Sequence, residues 1–387
     1  MLAIINGRVL LPQEPSGHFA EQRGLAVLVE DERIQGIVPQ QQLAAGTEVL
    51  DAGGRYVSPG FIDLHIHGFA GVDTMDGTAE ALGKMRQGLP STGVTAFLPT
   101  TMTCPWADIE GALAVIRREM EKNAGGAEVL GAYLEGPFIN AAHKGAQKAE
   151  NIRKADFSLL KPWLDTIKYV VLAPEELQGD YGFVAACRRA GIIVSMGHTD
   201  ATYEQAMETY KQGVRHATHL FNAMPPLHHR RPGAVGAALD TDCVAELIAD
   251  GIHLAPAALR LVWHAKGGEN IVLITDSMRA CGMGDGPSEL GGQQVFVQGQ
   301  LATLADGTIA GSVATMDHVV RTFAGAAGIS LARAAELAAR VPAEEMGCAD
   351  ERGSLKVGSL ADITIFDDEV RIYATLVRGR LAYQAKK

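Results

Sequence analysis

Hydrophobic and polar positions divide the chain into two terminal stretches of one pattern and a long middle stretch of another. Both ends alternate apolar and polar residues in short runs, which predicts β-strands. These strands are expected at residues 3–10, 25–30, 34–38, 361–366 and 373–377. Neither terminal segment is large enough to fold alone, so we predict that the two ends meet in one small β-sandwich.

The middle stretch carries short apolar runs separated by amphipathic patterns. Eight runs are expected to be strands, at residues 61–67, 94–101, 129–135, 169–174, 192–198, 217–221, 245–249 and 271–275. Helical periodicity falls between them at 109–120, 181–190, 203–212 and 257–265. Apolar strands that alternate with helices are typical of a parallel barrel whose strands are buried on both faces. The sequence therefore predicts an α/β protein with a (β/α)8 TIM-type barrel.

The expected domain limits follow from these patterns. The barrel is predicted at 59–350, and the sandwich is predicted to be built from 1–58 and 351–387. Within the barrel segment, Gly-rich residues 287–308 predict an inserted hairpin, followed by helices at 317–326 and 331–340. Ser330 is placed to cap the second of these helices.

Composition and charge exclude several classes of partner. The 387 residues hold 34 Lys plus Arg against 45 Asp plus Glu, a net charge of −11, which disfavours nucleic acid and acidic membrane surfaces as partners. The N-terminus lacks the pattern of a signal peptide, and no apolar stretch reaches about 18 residues. Five cysteines without a CxxC pair are expected to be thiols in a reducing compartment. We expect a cytoplasmic protein.

The candidate chemistry lies at the predicted strand ends. His65 and His67 are two residues apart on the first strand, so both side chains face one side and could grip one metal ion. A lone HxH pair could equally be two packed or surface histidines. Further polar residues lie at or just past the ends of later strands, namely Glu135, His198, His219, His253 and Asp276. Because active sites of such barrels are assembled at the carboxyl ends of the strands, their convergence favours a first-row metal centre.

These residues, in this order and flanked by a split sandwich, resemble the amidohydrolase superfamily. Five motifs are similar to its branch that deacetylates amino-sugar phosphates: YLEGPF at 133–138, GHT at 197–199, HLFNAMP at 219–225, RRPG at 230–233 and DGIH at 250–253. Many superfamily members bridge their metals with a carboxylated lysine on strand four. Here that strand reads VVLAPE at 170–175, which favours the branch in which Glu135 is the ligand.

The resemblance implies a metal-dependent deacetylase. It places Glu135, His198 and His219 around a main catalytic metal and a second ion on His65 and His67, with Glu135 bridging, so that one or two divalent ions are expected per subunit. Histidine and carboxylate ligands suit Zn²⁺ or Fe²⁺ without choosing between them. The expected reaction converts N-acetyl-D-glucosamine 6-phosphate to D-glucosamine 6-phosphate and acetate.

The expected mechanism follows from the low reactivity of both reactants, since an amide is a poor electrophile and water is a poor nucleophile. A divalent ion lowers the pKa of bound water to about 7 and so supplies hydroxide to attack the acetyl carbonyl. A sugar amine anion is too basic to leave, so a group must take the water proton and give it to the amine. Asp276 is the candidate base and acid and also a candidate metal ligand. The alternative is that it serves only as a metal ligand or as a structural carboxylate.

Substrate contacts are also implied by the resemblance. Asn222, the backbone of Ala223 and Arg230 match phosphate contacts, with Arg230 reaching into the site of a neighbouring subunit, so a homodimer is expected. His253 matches a residue that contacts the sugar hydroxyls or the carbonyl. Without the resemblance, the basic run at 226–232 would be interpreted as a solvated loop.

One substrate-binding position departs from the common pattern. Many relatives carry a Lys-Gly-Ala-His segment after the glutamate, whereas this chain reads Lys-Gly-Ala-Gln at 144–147. Gln147 can donate a hydrogen bond but never carries charge, so phosphate affinity or its pH dependence is expected to differ.

Other functions fit parts of the pattern. The galactosamine epimer's deacetylase and a cyclic-amide hydrolase are alternatives within the same fold, and a panel of sugars and a cyclic imide would separate them. A non-catalytic binding or assembly protein is an alternative from another class. Members that lost activity typically lost ligands, whereas every ligand position is filled here.

Overall fold

The computed structural model describes residues 1–122 and 125–386. Its strands are β1 (Leu2–Ile5), β2 (Arg8–Gln13), β3 (His18–Gln22), β4 (Leu25–Glu30), β5 (Arg33–Pro39), β6 (Glu48–Asp51), β7 (Tyr56–Pro59), β8 (Phe61–Ile66), β9 (Gly68–Phe69), β10 (Val72–Asp73), β11 (Val94–Thr101), β12 (Glu128–Val129), β13 (Ala132–Leu134), β14 (Ile167–Leu172), β15 (Ile193–Met196), β16 (His216–Ala217), β17 (Val244–Ile248), β18 (Ile271–Ile274), β19 (Gly286–Leu290), β20 (Gln293–Gln298), β21 (Leu301–Thr303), β22 (Ile363–Phe366), β23 (Ile372–Val377) and β24 (Arg380–Gln384).

The helices lie mostly between the strands of the middle stretch. They are α1 (Ala79–Gly88), α2 (Trp106–Met120), α3 (Gly182–Arg189), α4 (Tyr203–Lys211), α5 (Gly233–Leu239), α6 (Pro256–Ala265), α7 (Met316–Ala327), α8 (Leu331–Ala338) and α9 (Arg340–Glu345). Among the described residues, no helix is long and apolar enough to cross a membrane.

Eight parallel strands form a nearly closed barrel, in the order β8-β11-β13-β14-β15-β16-β17-β18. The first and last strands approach each other just past their ends, where Ile66 pairs in parallel with Ser277 and the Asp276 amide donates to the His65 carbonyl at 2.8 Å. Every residue of β8, β11 and β18 is buried, as expected for strands covered on both faces. The predicted (β/α)8 barrel is confirmed.

The sixth barrel strand is much shorter than the predicted run at 217–221. It ends at Ala217 because the chain then turns sharply: the φ angles of His219, Phe221 and Ala223 are 28°, 79° and 52°. Left-handed backbone cannot continue a strand. The apolar residues Leu220 and Phe221 mimic a strand in the sequence but belong to the loop that carries the site.

The ends of the chain build two further sheets, ordered β5-β4-β1-β6 and β24-β23-β22-β7-β2-β3. The larger sheet joins both termini, since β22 pairs antiparallel with β7. The single strand predicted at 3–10 is wrong, because Asn6 adopts a φ of 55° and divides it between the two sheets. The β-sandwich built from both ends is confirmed, while the limits 1–58, 59–350 and 351–387 stay a prediction.

The segment after the eighth barrel strand is more elaborate than a hairpin. Strands β19, β20 and β21 form a three-stranded antiparallel sheet, and Leu290 and Val295 pack against Met102 and Met278 near the barrel mouth. Ser330 caps α8 as predicted, by accepting from the Arg333 amide. The helix predicted at 331–340 is interrupted after α8, where Ala339 leaves helical geometry (φ −128°, ψ −67°).

A candidate metal centre at the barrel mouth

Five barrel strands deliver the predicted ligands to the same edge of the barrel. His65 lies on β8 and His67 follows it, while Glu135 follows β13 directly. His198, His219 and Asp276 lie two residues beyond β15, β16 and β18. The structure brings together all six residues that the sequence proposed as ligands, and all six are buried. Whether each binds metal stays a prediction.

The backbone is strained where the later strands end. His198, His219 and Asp276 have φ angles of 48°, 28° and 49°, a region that residues other than glycine rarely occupy. Such strain costs of order 1–3 kcal/mol per residue and concentrates at functional sites. Here it turns three side chains inward at the point where each strand would otherwise leave the mouth.

Glu135 is shared by two groups of side chains that could each hold a metal ion. In the first group its Oε1 lies 3.0 Å from His198 Nε2 and 2.9 Å from His219 Nε2. In the second group its Oε2 lies 3.3 Å from His67 Nε2, and its Oε1 lies 3.5 Å from His65 Nε2. One carboxylate therefore offers an oxygen to each pair of imidazoles, as a bridging ligand would.

Asp276 stands beside the second group. Its Oδ1 is 3.1 Å from His67 Nε2 and 3.4 Å from His65 Nε2. Both His65 Nε2 and Asp276 Oδ1 are buried without a hydrogen-bond partner among the described residues. Buried polar atoms are nearly always satisfied in native proteins. A divalent cation would satisfy both atoms, so the residues present fit a metal centre.

Charge is strongly coupled within this cluster. Burial alone would raise the pKa of Glu135, but His198, His219 and His67 lower it well below its ordinary value. Burial alone would lower the pKa of His67, but Asp276 and Glu135 raise it well above its ordinary value. The cluster therefore demands positive charge to balance its carboxylates, and divalent ions would supply that charge in place of protons.

The outer ring nitrogens of two ligands are held by carbonyl oxygens. His67 Nδ1 lies 3.2 Å from the Thr100 carbonyl, and His198 Nδ1 lies 2.9 Å from the His143 carbonyl. A carbonyl can only accept, so each Nδ1 carries the proton and each Nε2 keeps a free lone pair. These two histidines are thereby preset as Nε2 ligands.

The cluster forms the floor of a cavity of about 230 Å³. Four predicted substrate-binding residues line the cavity: Gln147, Asn222, Ala223 and His253. Arg230 does not line it; the residue is exposed, and its Nη1 lies 2.7 Å from His229 Nε2. The structure thus gathers every predicted substrate residue of the subunit except the one that was expected to serve a neighbour.

Gln147 has a role that the sequence did not suggest. Its Nε2 donates to Glu135 Oε2 at 2.5 Å, and its Oε1 accepts from the Thr103 amide at 2.7 Å. Both ends of the amide are thus engaged by the protein, and they fix the orientation of the shared carboxylate. A direct contact between Gln147 and substrate stays a prediction.

Two sets of residues were missed by the sequence analysis. Leu290, Thr308 and Ile309 lie in or directly after the inserted segment and line the cavity. Two apolar residues and one threonine carry no sequence signal for such a role. Tyr133 and Glu246 lie buried beneath the ligands and hydrogen-bond to each other. Glu246 did leave a signal, because it is the one charged residue within the apolar run at 245–249.

Comparison with known proteins defines the class to which this barrel and site belong. A family model described as the amidohydrolase family matches residues 56–382. That match spans most of the chain, so the chain belongs to the amidohydrolase family. The resemblance that the sequence motifs indicated is confirmed.

Relatives within the family carry names that state a particular reaction. The N-acetylglucosamine-6-phosphate deacetylase of Bacillus subtilis (strain 168) is 43% identical over 337 residues, covering 85% of this chain and 85% of the relative. The N-acetylgalactosamine-6-phosphate deacetylase of Escherichia coli O157:H7 is 37% identical over 339 residues, covering 86% of this chain and 89% of that relative. The crystal structure of N-acetylglucosamine-6-phosphate deacetylase from Pasteurella multocida matches with a TM-score of 0.92 at 29% identity, covering 99% of this chain and 100% of that one.

Proposed function

We propose that this protein hydrolyses N-acetyl-D-glucosamine 6-phosphate to D-glucosamine 6-phosphate and acetate. The observation that carries the proposal is the sharing of Glu135 between two histidine pairs, with Asp276 at the edge of the cluster, on the floor of a cavity at the barrel mouth. The relatives support the same substrate class, and the higher identity is to the enzyme named for the glucosamine sugar.

The residues that would hold divalent ions are the two groups around Glu135. His198 and His219 complete one position, and His65 and His67 complete the other. When bound, such ions lower the pKa of water and polarise a carbonyl oxygen. The donors suit Zn²⁺ and Fe²⁺ equally, and we propose either ion as the cofactor.

Asp276 moves the proton in this proposal. Water attacks the acetyl carbonyl carbon, its proton passes to a carboxylate oxygen of Asp276, and Asp276 then gives that proton to the sugar nitrogen as the C–N bond breaks. Proton return is required because an amine anion is too basic to leave. The second water proton stays on the new carboxyl group, so the immediate products are acetic acid and the free amine. At neutral pH the acid loses that proton to become acetate and the amine takes one up, so atoms and charge balance.

The remaining lining residues bind and orient the sugar. His253 Nδ1 lies 2.7 Å from Asp250 Oδ2, which holds the ring in place beside the cavity. Asn222 anchors its loop by donating to the His219 carbonyl at 3.1 Å. We propose that His253 contacts the sugar hydroxyls or carbonyl and that Asn222 and the Ala223 backbone contact the phosphate.

The function is tested by acetate release from purified enzyme supplied with Zn²⁺ or Fe²⁺. Substrates are the 6-phosphates of N-acetylglucosamine and N-acetylgalactosamine, unphosphorylated N-acetylglucosamine, and a cyclic imide. We expect the highest kcat/KM for N-acetylglucosamine 6-phosphate. Release of no acetate with either metal rejects the proposal, and hydrolysis of the imide alone favours a cyclic-amide hydrolase.

The cysteines bear on the cellular location. All five are free thiols: Cys104, Cys187, Cys243, Cys281 and Cys348. Free thiols persist in reducing compartments. We keep the cytoplasm as the proposed location.

We also propose a homodimer in which Arg230 serves the partner's cavity. Two observations support this proposal: Arg230 is exposed away from its own cavity, and the described lining of that cavity includes no lysine or arginine. A phosphate is best held by a charged, bidentate donor such as arginine. A second subunit would supply that donor.

Replacing Arg230 by alanine is expected to raise KM for the phosphorylated sugar. Hydrogen bonds to charged groups contribute about 1.5–3 kcal/mol, which corresponds to a rise of roughly 10- to 100-fold. The control is Arg231→Ala, which removes the neighbouring exposed arginine. An equal rise in KM for the unphosphorylated sugar would remove the phosphate role.

Subunit mixing tests whether Arg230 acts across the dimer. Arg230→Ala and Asp276→Asn homodimers are each impaired, but a hybrid dimer would hold one site with Asp276 from one subunit and Arg230 from the other. We expect mixing to restore activity at low substrate concentration. If Arg230 served its own subunit, no intact site would form and mixing would restore nothing.

A further inference from the structure

A line of buried polar side chains runs beneath the ligands, from His65 toward the opposite end of the barrel. It consists of His65, Thr218, Glu246, His216 and Glu345, with Tyr133 and Ser195 at its side. All except Glu345 are fully buried, and the Glu345 side chain is 20% exposed. Burying this much polarity is costly unless the groups satisfy one another.

The line begins at the outer nitrogen of His65. His65 Nδ1 lies 3.2 Å from Thr218 Oγ1, whereas His67 and His198 present their Nδ1 atoms to carbonyl oxygens. A carbonyl only accepts, but a hydroxyl can donate or accept. The proton position on His65 is therefore not set by Thr218 alone; it depends on where the Thr218 proton points.

The direction of the Thr218 hydroxyl proton is set by the carboxylate of Glu246. Its Oε2 accepts from Thr218 Oγ1 at 3.1 Å and from Tyr133 OH at 3.0 Å, while its Oε1 lies 2.9 Å from His216 Nδ1. Tyr133 OH also donates to Thr218 Oγ1 at 3.0 Å. Because a carboxylate can only accept and a charged acceptor forms the stronger hydrogen bond, the hydroxyl proton of Thr218 points to Glu246. The lone pair of Thr218 then faces His65, and His65 must carry its proton on Nδ1.

We infer that Glu246 is a positioning residue that, through the Thr218 hydroxyl, fixes the tautomer of His65 and so frees His65 Nε2 to bind the second divalent ion. The inference rests on the proposed function and assigns a role to residues outside the cavity. His65 Nε2 faces Glu135 and Asp276 at 3.5 and 3.4 Å. Groups that fix a ligating histidine in this way typically change metal affinity by about 10- to 100-fold.

His216 and Glu345 hold Glu246 in place from the far side. His216 Nε2 lies 3.1 Å from Glu345 Oε2, so the ring is clamped between two carboxylates. With its Oε1 engaged by His216, Glu246 can turn only Oε2 toward Thr218. The arrangement also predicts what an amide would do at this position.

Glu246→Gln keeps the shape but reverses the hydrogen bonds. The amide oxygen would take the place of Oε1, which lies 2.9 Å from His216 Nδ1 and accepts from Ser195 Oγ at 3.4 Å. The amide NH₂ would then face Thr218 and donate to it. Thr218 would then donate to His65 Nδ1, placing the ring proton on Nε2. We expect the affinity for one of two Zn²⁺ ions to fall by about 10- to 100-fold, while the other ion binds as before.

Variants of Thr218 test whether its hydroxyl carries the effect of Glu246 to His65. Thr218→Ser keeps the hydroxyl and should bind both ions as the wild type does. Thr218→Val keeps the shape but loses the hydroxyl that joins Glu246 to His65, so it should lower the affinity for one ion. The loss should be smaller than in Glu246→Gln, because that variant places the proton of His65 on Nε2. Thr95→Val is the matched control, because Thr95, on β11, is a threonine nearly as deeply buried as Thr218.

The experiment is a Zn²⁺ titration of each purified variant, with metal per subunit measured at equilibrium. Combining Glu246→Gln with His65→Ala should lower zinc binding no further than His65→Ala alone, since both act on the same ligand. Spectra of ¹⁵N-labelled histidine would show the protonated nitrogen of His65 directly. If Glu246 had a merely structural role, its replacement would lower the affinity for both ions. It would also lower zinc binding of the His65→Ala variant further.

The outcomes separate this inference from the proposed function. If the wild type binds two ions and Thr218→Val and Glu246→Gln do the same with unchanged affinity, the inference is wrong while the deacetylase proposal stands. If the wild type binds no zinc and releases no acetate, the proposed function fails and the inference fails with it. Should Glu246→Gln not fold, the Thr218 pair alone decides.

Discussion

Asp276→Asn is expected to lower kcat for acetate release by about 10²- to 10⁴-fold, the range that general acid–base catalysis contributes. Asparagine keeps the shape of the side chain but can neither take the proton from water nor give it to the amine. Metal binding should stay largely intact, since asparagine keeps an oxygen at this position and both groups of ligands around Glu135 remain. Steady-state kinetics and metal analysis of the same preparation check both expectations.

The control for this variant is Asp306→Asn. Asp306 is an exposed aspartate whose Oδ1 accepts from the backbone amide of Thr308 at 2.9 Å. Its amide variant should leave kcat unchanged. Unchanged turnover of Asp276→Asn at full metal content would reject the role of Asp276 in proton transfer, and loss of metal with turnover would make Asp276 a ligand instead.

Glu135→Gln is expected to lose both metal positions at once. Its Oε1 lies 2.9–3.0 Å from His219 and His198 and 3.5 Å from His65, and its Oε2 lies 3.3 Å from His67, so one carboxylate reaches both histidine pairs. A neutral amide cannot bridge two cations with two oxygens. Because a bound divalent ion is worth several kcal/mol and each 1.4 kcal/mol is tenfold in rate, we expect turnover to fall by about 10³-fold or more.

Metal analysis separates this result from simple misfolding. Glu135→Gln should fold, since the amide retains the buried shape, but it should hold little metal after dialysis. Glu150→Gln is the matched control, an exposed glutamate in the same segment after β13. Two ions per subunit in Glu135→Gln would show that the carboxylate does not bridge.

Much of the site could be predicted because strand ends are readable from local pattern. His65 and His67 follow from a period of two on an apolar strand, and Glu135, His198 and Asp276 each follow an apolar run. His219 was assigned to the strand predicted at 217–221, whereas β16 ends at Ala217. The HLFNAMP motif pointed to the same residue independently. The split of residues 3–10 was missed although Asn6 and Gly7 form a turn-favouring pair between two apolar runs. Asn6 adopts a positive φ there.

The sequence by itself determined the barrel, the sandwich drawn from both ends, and the residue types gathered at the mouth. These follow from periodicity and motif order, which are local properties of the chain. Only the tertiary structure decided that Gln147 holds Glu135 and that Glu246 lies behind His65. Thr218 is 153 residues from His65, and Glu246 is 113 from Tyr133. Contacts across the interior of a closed barrel depend on strand tilt and register, and no local pattern of hydrophobic and polar residues encodes them.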